Sequence, residues 1–179
     1  MTPLILPYQG EYALQAVSPR IAASAFIAAN AAVIGDVEIG EESSIWYGCV
    51  VRGDVHRIRI GNRTNIQDGT VVHVTRGTGP TLIGSNVTIG HAALLHACTL
   101  EDNSFIGMRA TLMDGVVVEN GAQVAAGALV TPGKRIPTGE LWAGSPARLF
   151  RKLTPEEQAF ISESADNYVR LSREHLRQP

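Results

Sequence analysis

The sequence is poor in cysteine, in aromatic residues, in charge of one sign and in long apolar runs. Only Cys49 and Cys98 occur among 179 residues, so there is neither a disulfide framework nor a CxxC pair. That usage suits a reducing cytoplasm, the expected location, and each thiol reads as a small buried hydrophobe. With 15 basic against 17 acidic side chains the formal net charge is −2, which leaves no electrostatic footprint for nucleic acid or an anionic membrane, and neither is expected as a partner. The longest apolar run extends only from Ala25 to Ala29, and Met1 to Gln15 has no basic residue and is interrupted by Pro3 and Pro7. These features argue against a spanning helix and against a signal peptide. Glycine is missing from the end of the chain: all but Gly10 lie between Gly35 and Gly144.

What is present is a short period. Aliphatic residues recur every six positions at Ile21, Ile27, Val33, Ile39, Ile45 and Val51; the register then restarts for Ile60, Ile66 and Val72, for Ile83, Ile89 and Leu95, and for Leu100, Ile106, Leu112, Val118, Val124, Val130 and Ile136. Six fits neither a helix of 3.6 residues per turn nor a long flat strand. It fits short strands joined by tight corners, with one aliphatic residue per side turned inward and glycines such as Gly40, Gly61, Gly84, Gly90 and Gly107 easing the bend. Three sides close a triangular coil, and stacked coils pair each strand with the one above and fill the axis with an aliphatic ladder. The aromatic content of 6% suits such a narrow interior. The expected fold is therefore mainly β, a hexapeptide-repeat solenoid over 21–147 within a single domain. Residues 1–20 form an irregular lead-in over the first coil. Thr154, Pro155, Glu156 and Glu157 mark the start of a C-terminal helix over 154–177. Its apolar face is expected to carry Ile161, Ala165, Tyr168, Val169, Ser172 and Leu176 against the solenoid.

Three of the five histidines fall close together in this frame. Taking every third side as one column gathers Val33, Val51, Val72, Leu95, Leu112 and Val130; His73 directly follows Val72 and His96 directly follows Leu95. Their outward side chains are expected to stack one strand spacing apart, near enough to share a metal ion at Zn–N distances of about 2.0 to 2.1 Å. His91 sits on the preceding side and reaches such a site more easily from a neighbouring subunit, which suggests a centre shared between copies around a threefold axis. Spacing alone also leaves open plain surface histidines. His56 and His175 show no such pattern and read as solvated.

Arg52-Gly53-Asp54, Asn65-Ile66-Gln67-Asp68-Gly69, the His73 element, Gly90-His91 through His96, and Ala143-Gly144-Ser145-Pro146-Ala147 together resemble the gamma-class carbonic anhydrases of the hexapeptide-repeat superfamily, over roughly residues 10–177. The resemblance implies a left-handed parallel β-helix with a C-terminal helix, assembled as a homotrimer. It implies a metal site of His73 and His96 from one chain and His91 from the next, holding zinc, with iron(II) or cobalt able to take the same imidazoles. The implied reaction is reversible hydration of carbon dioxide to bicarbonate by a zinc-bound hydroxide. It further implies that Gln67 orients the hydroxide or substrate, that Asn65 supports it, that Arg52, Asp54 and Asp68 form ion pairs across the trimer interface, and that Tyr168 approaches the pocket.

The chain departs from the best-known active members. The segment Thr75 to Thr81 carries no carboxylate, and Val55 stands where those members have a glutamate beside the Arg-x-Asp segment, so both acids proposed to carry protons away are missing. His56, beside Val55, is the nearest substitute. Two other readings belong to the same solenoid: a CoA-dependent acyltransferase or thioesterase with histidine as general base, and a noncatalytic trimeric scaffold that keeps a structural metal.

Overall fold

The computed structural model describes residues 2–10 and 16–177. The chain is a left-handed parallel β-helix of about 7 turns closed by one helix. Its three columns follow the six-residue period. Val33 pairs with Val51, then Val72, Leu95, Leu112 and Val130 follow in register. Ile27, Ile45, Ile66, Ile89, Ile106 and Val124 form the second column. Ile21, Ile39, Ile60, Ile83, Leu100, Val118 and Ile136 form the third. From Val33 onward no anchor is more than 4% exposed, and fully burying each such side chain contributes about 1.5–3 kcal/mol. The core is this ladder.

Most strands are two residues long, because a corner follows each anchor. The corner conformation is left-handed three residues past the anchor, at Glu42, Arg63, Asn86 and Asn103 on one edge and at Gly48, Gly69, Ala92 and Arg109 on another. The glycines directly after the anchors therefore do not make the bend, contrary to expectation. They permit close stacking of coils: a Cβ on Gly61 would lie 2.6 Å from the backbone of Gly84, and one on Gly107 would lie 2.3 Å from the Ala126 nitrogen.

Each break in the period has a structural cause. Between Val51 and Ile60, Val50–Ile60 runs as one strand beside Ala32–Ile39, and residues 54–57 stand opposite Asp36 alone where the register shifts between Gly35 and Val37. Between Val72 and Ile83 a hairpin juts out, closed by the antiparallel bridge of Thr75 with Gly79. The short step from Leu95 to Leu100 is turned by Ala97 at φ 48°.

Each end is covered on one of its three columns. The lead-in is more regular than expected: Leu4–Leu6 adds a parallel strand to Ala32–Ile34, and Tyr8 bridges Val17. At the other end Glu140–Gly144 folds back on Ala147–Lys152 as an antiparallel pair, a feature the repeat did not announce. The helix spans Pro155–Leu176, with Thr154 as N-cap and a capping box to Glu157. It lies on the second column, over Phe26–Ile27, Ser44–Ile45, Asn65–Ile66 and Thr88–Ile89, and buries Ile161, Ser164, Ala165, Val169 and Ser172. Leu176 is 56% exposed, contrary to expectation. The last contact is made instead by His175, whose ring stands 5.0 Å from Trp46 and 5.7 Å from Phe26 and whose Nδ1 is 3.1 Å from the Tyr47 hydroxyl. His175 is thus a packing residue rather than a solvated one.

Candidate metal centre

Parallel register brings two histidines together. Because Leu95 stacks on Val72, the next residues His96 and His73 are also paired, and their rings stand 5.2 Å apart. Each ring is held by a carboxylate. His73 Nε2 donates to Asp54 Oδ1 at 2.9 Å, and His96 Nδ1 donates to Asp114 Oδ1 at 2.6 Å. Asp54 in turn is paired with Arg52, and Asp114 accepts from the Thr75 hydroxyl. Burial works to raise the Asp54 carboxyl, but the hydrogen bonds from His73 and Arg52 outweigh it and hold it below the usual carboxylate range. Thr75 and then His96 hold Asp114 low in the same way.

These bonds decide what the facing nitrogens can do. A neutral imidazole has one N–H, and in each ring it is committed to a carboxylate. His73 Nδ1 and His96 Nε2 therefore point lone pairs at each other across 3.2 Å. Two lone pairs do not hydrogen-bond; a proton or a cation must lie between them. Two nitrogens about 2.0 to 2.1 Å from one tetrahedral ion stand about 3.3 Å apart. The donor set thus fits a zinc-like ion through half of its coordination shell.

His91 is elsewhere. It follows the second column, 45% exposed, and its Nδ1 donates to Asp68 Oδ2 at 2.9 Å. Among the described residues no group of three or more His, Cys, Asp or Glu side chains within the single chain could hold a metal ion. The second cluster grows around His91. Gln67, 6% exposed, donates its amide to Asn65 Oδ1 at 3.0 Å; Asn65 donates to Thr88, whose hydroxyl meets Ser164 of the helix at 2.9 Å. Tyr168 packs its ring 5.5 Å from Trp46, and desolvation, then the charge of Asp68, pushes its hydroxyl up. The predicted residues thus divide into two groups on adjoining faces: Arg52, Asp54, His73 and His96 on one, and Asn65, Gln67, Asp68, His91 and Tyr168 on the other. Within the chain Asp54 and Asp68 pair with histidines.

Asp114 and Thr75 were missed in the sequence. Asp114-Gly115 reads there as turn chemistry, and only the stacking of coils brings it against His96. His56 lines a cavity of about 350 Å³ together with Asp54, Val55 and Tyr8. Its Nδ1 accepts the Arg57 N–H at 2.8 Å in an exposed setting. Cys49 and Cys98 are buried, and desolvation pushes their thiols up to about 11 and about 12. No helix among the described residues is long and apolar enough to cross a membrane.

Known proteins resemble this chain. Residues 18–53 match the bacterial transferase hexapeptide model of six repeats, and residues 98–132 match the hexapeptide repeat of succinyl-transferase. "Gamma carbonic anhydrase 1, mitochondrial" of Arabidopsis thaliana is 59% identical over 88% of this chain and 59% of its own length. The chain therefore spans about three fifths of that plant relative. The "Carbonic anhydrase" of Geobacillus kaustophilus is 44% identical over 93% of this chain and 87% of its own. A crystal structure titled as a hexapeptide transferase family protein, from Anaplasma phagocytophilum, superposes with a TM-score of 0.89 at 52% identity over 95% of this chain and 96% of that one. With the repeat, the histidine pair and the match to the Geobacillus enzyme in agreement, the chain belongs to the gamma-class carbonic anhydrase family of hexapeptide-repeat proteins.

Proposed function

We propose that this protein is a metal-dependent carbonic anhydrase that interconverts carbon dioxide and bicarbonate as a homotrimer. In this reading His73 and His96 of one copy and His91 of the next hold a single ion, with zinc the leading candidate and iron(II) or cobalt its competitors. The observation that carries it is that His73 Nδ1 and His96 Nε2 face each other 3.2 Å apart, each ring's other nitrogen tied to a carboxylate, in a chain whose third histidine lies on another face. Each copy offers two ligands on one surface and one on a different surface, and a ring of copies closes such unequal surfaces.

A zinc ion held by three neutral imidazoles lowers the pKa of a bound water to about 7, which makes a nucleophile available at neutral pH. The rest falls to this chain. Asp54 and Asp68 hold the N–H of His73 and His91 and so keep the opposite nitrogen of each ring free for the ion. Gln67, fixed by its bond to Asn65, orients the attacking oxygen or the substrate. Arg52 anchors Asp54 behind His73. Tyr168 forms a partly apolar wall at the His91 side. Residues 75–81 bring no carboxylate to take up the released proton, so turnover is expected to depend on added buffer.

The test joins metal analysis with stopped-flow hydration on protein purified without oxygen. About one zinc or iron per chain and hydration that rises with buffer concentration are expected. His73→Ala and His91→Ala homotrimers are each expected to lose metal and activity, and mixed trimers of the two to regain part of both. Full metal occupancy in either single variant overturns the shared centre. Acyl transfer from coenzyme A without hydration, or metal retention with neither activity, overturns the reaction.

A further inference from the structure

We infer that Asp114 is a positioning residue of this metal centre: it fixes His96 with the proton on Nδ1, so that Nε2 is always presented as a lone pair. The inference deepens the proposed metal site and rests on it. Three observations carry it. Asp114 Oδ1 lies 2.6 Å from His96 Nδ1, the tightest of the three carboxylate–imidazole pairs. The carboxylate is itself held on its second oxygen by the Thr75 hydroxyl, from the hairpin that Thr75 and Gly79 close at 2.9 Å. Its backbone is fixed as well: Gly133 N–H donates to the Asp114 carbonyl at 2.9 Å, and the adjoining Gly115 N–H donates to Ala97 at 2.8 Å. Asp114 is thus pinned at side chain and main chain before any ion arrives.

The physical consequence follows from imidazole chemistry. In water the neutral ring favours the proton on Nε2, the nitrogen that must here be free. A carboxylate at Nδ1 reverses that preference and stops the ring from turning. Thr75 extends the effect, because it ties the protruding hairpin to the carboxylate. The hairpin, which brings no acid of its own, contributes to the site by holding Asp114.

Two readouts besides activity test this. In metal-free protein, long-range ¹H–¹⁵N correlation reports which His96 nitrogen carries the proton. Zinc affinity is measured by competition with a chromophoric chelator. Wild type is expected to show His96 protonated on Nδ1. Asp114→Ala is expected to lose that preference and to bind zinc 10 to 100-fold more weakly, the range seen for lost partners of this kind. Asp114→Asn, whose amide keeps its oxygen on the Thr75 hydroxyl and turns its NH2 toward His96 Nδ1, is expected to lose the Nδ1–H form and to weaken zinc binding as well, and it serves if the alanine variant fails to fold. Thr75→Val is expected to cost a few-fold. An Asp114→Ala protein with the wild-type tautomer, or with zinc affinity within twofold of wild type, overturns the inference while leaving the metal centre standing. A wild-type protein that binds no zinc, iron or cobalt overturns the metal centre and Asp114's role with it.

Discussion

Leu95→Ala tests the ladder on which the site is built. Leu95 is completely buried, stacked between Val72 and Leu112 in register, and the residue after it is His96. The substitution removes three carbons, and the lost transfer energy alone is about 2.4 kcal/mol at about 0.8 kcal/mol per buried methylene. The coils above and below are held at strand spacing by their hydrogen bonds and cannot sink into the gap, so a cavity term adds to this. Leucine-to-alanine changes in unyielding cores cost about 3–5 kcal/mol, and a value in that range is expected. The matched control is Leu149→Ala, the same chemistry on a strand where the side chain is 51% exposed, expected to cost about 1 kcal/mol or less. Urea unfolding followed by far-ultraviolet circular dichroism, at one protein concentration because assembly shifts apparent stability, gives both numbers. Equal losses in the two variants would refute the claim that the inward aliphatic column is the core.

Three further outcomes are expected. Gly35→Ala places a Cβ 2.3 Å from the Gly53 carbonyl oxygen at a residue with φ +80°, so it should lose about 2 kcal/mol or more and disturb Arg52 and Asp54 beside Gly53; unchanged unfolding and zinc affinity would count against that packing. Arg151, then the Thr154 N–H, pull the exposed Glu157 carboxyl down to about 2. A depressed carboxylate stabilises above its unfolded pKa, about 4.3, and that contribution fades as pH falls through about 2. Helical ellipticity should therefore decline over that window, with a flatter acid profile for Glu157→Gln; superimposable profiles would refute it. Cys49 and Cys98, with thiols raised to about 11 and about 12 by burial, should resist a thiol reagent at pH 8 until the protein unfolds; prompt labelling of the native protein would contradict their burial.

Much of this was legible along the chain because a solenoid is nearly one-dimensional. Assigning every third anchor to a column correctly put Val51, Val72, Leu95 and Leu112 in one ladder, and with them the adjacency of His73 and His96. The N-cap at Thr154 was equally plain, since capping is a local exchange between residues three apart. Misreadings came where contacts cross between coils or between elements. The glycines after the anchors look like bend residues in sequence but serve close approach to the coil above. Leu176 continues the helical stripe, yet the ring of His175 is what meets Trp46.

The sequence by itself determined the period, the columns and therefore which histidines are neighbours, because in-register stacking converts spacing along the chain directly into distance in space. Only the tertiary structure decided how those imidazoles are held. Asp54 and Asp114 reach them from the coils on either side, and the protons they fix turn two adjacent rings into a pair of lone pairs facing each other. Hydrogen-bond direction depends on three-dimensional approach rather than on spacing, so no pattern in the repeat could have announced it.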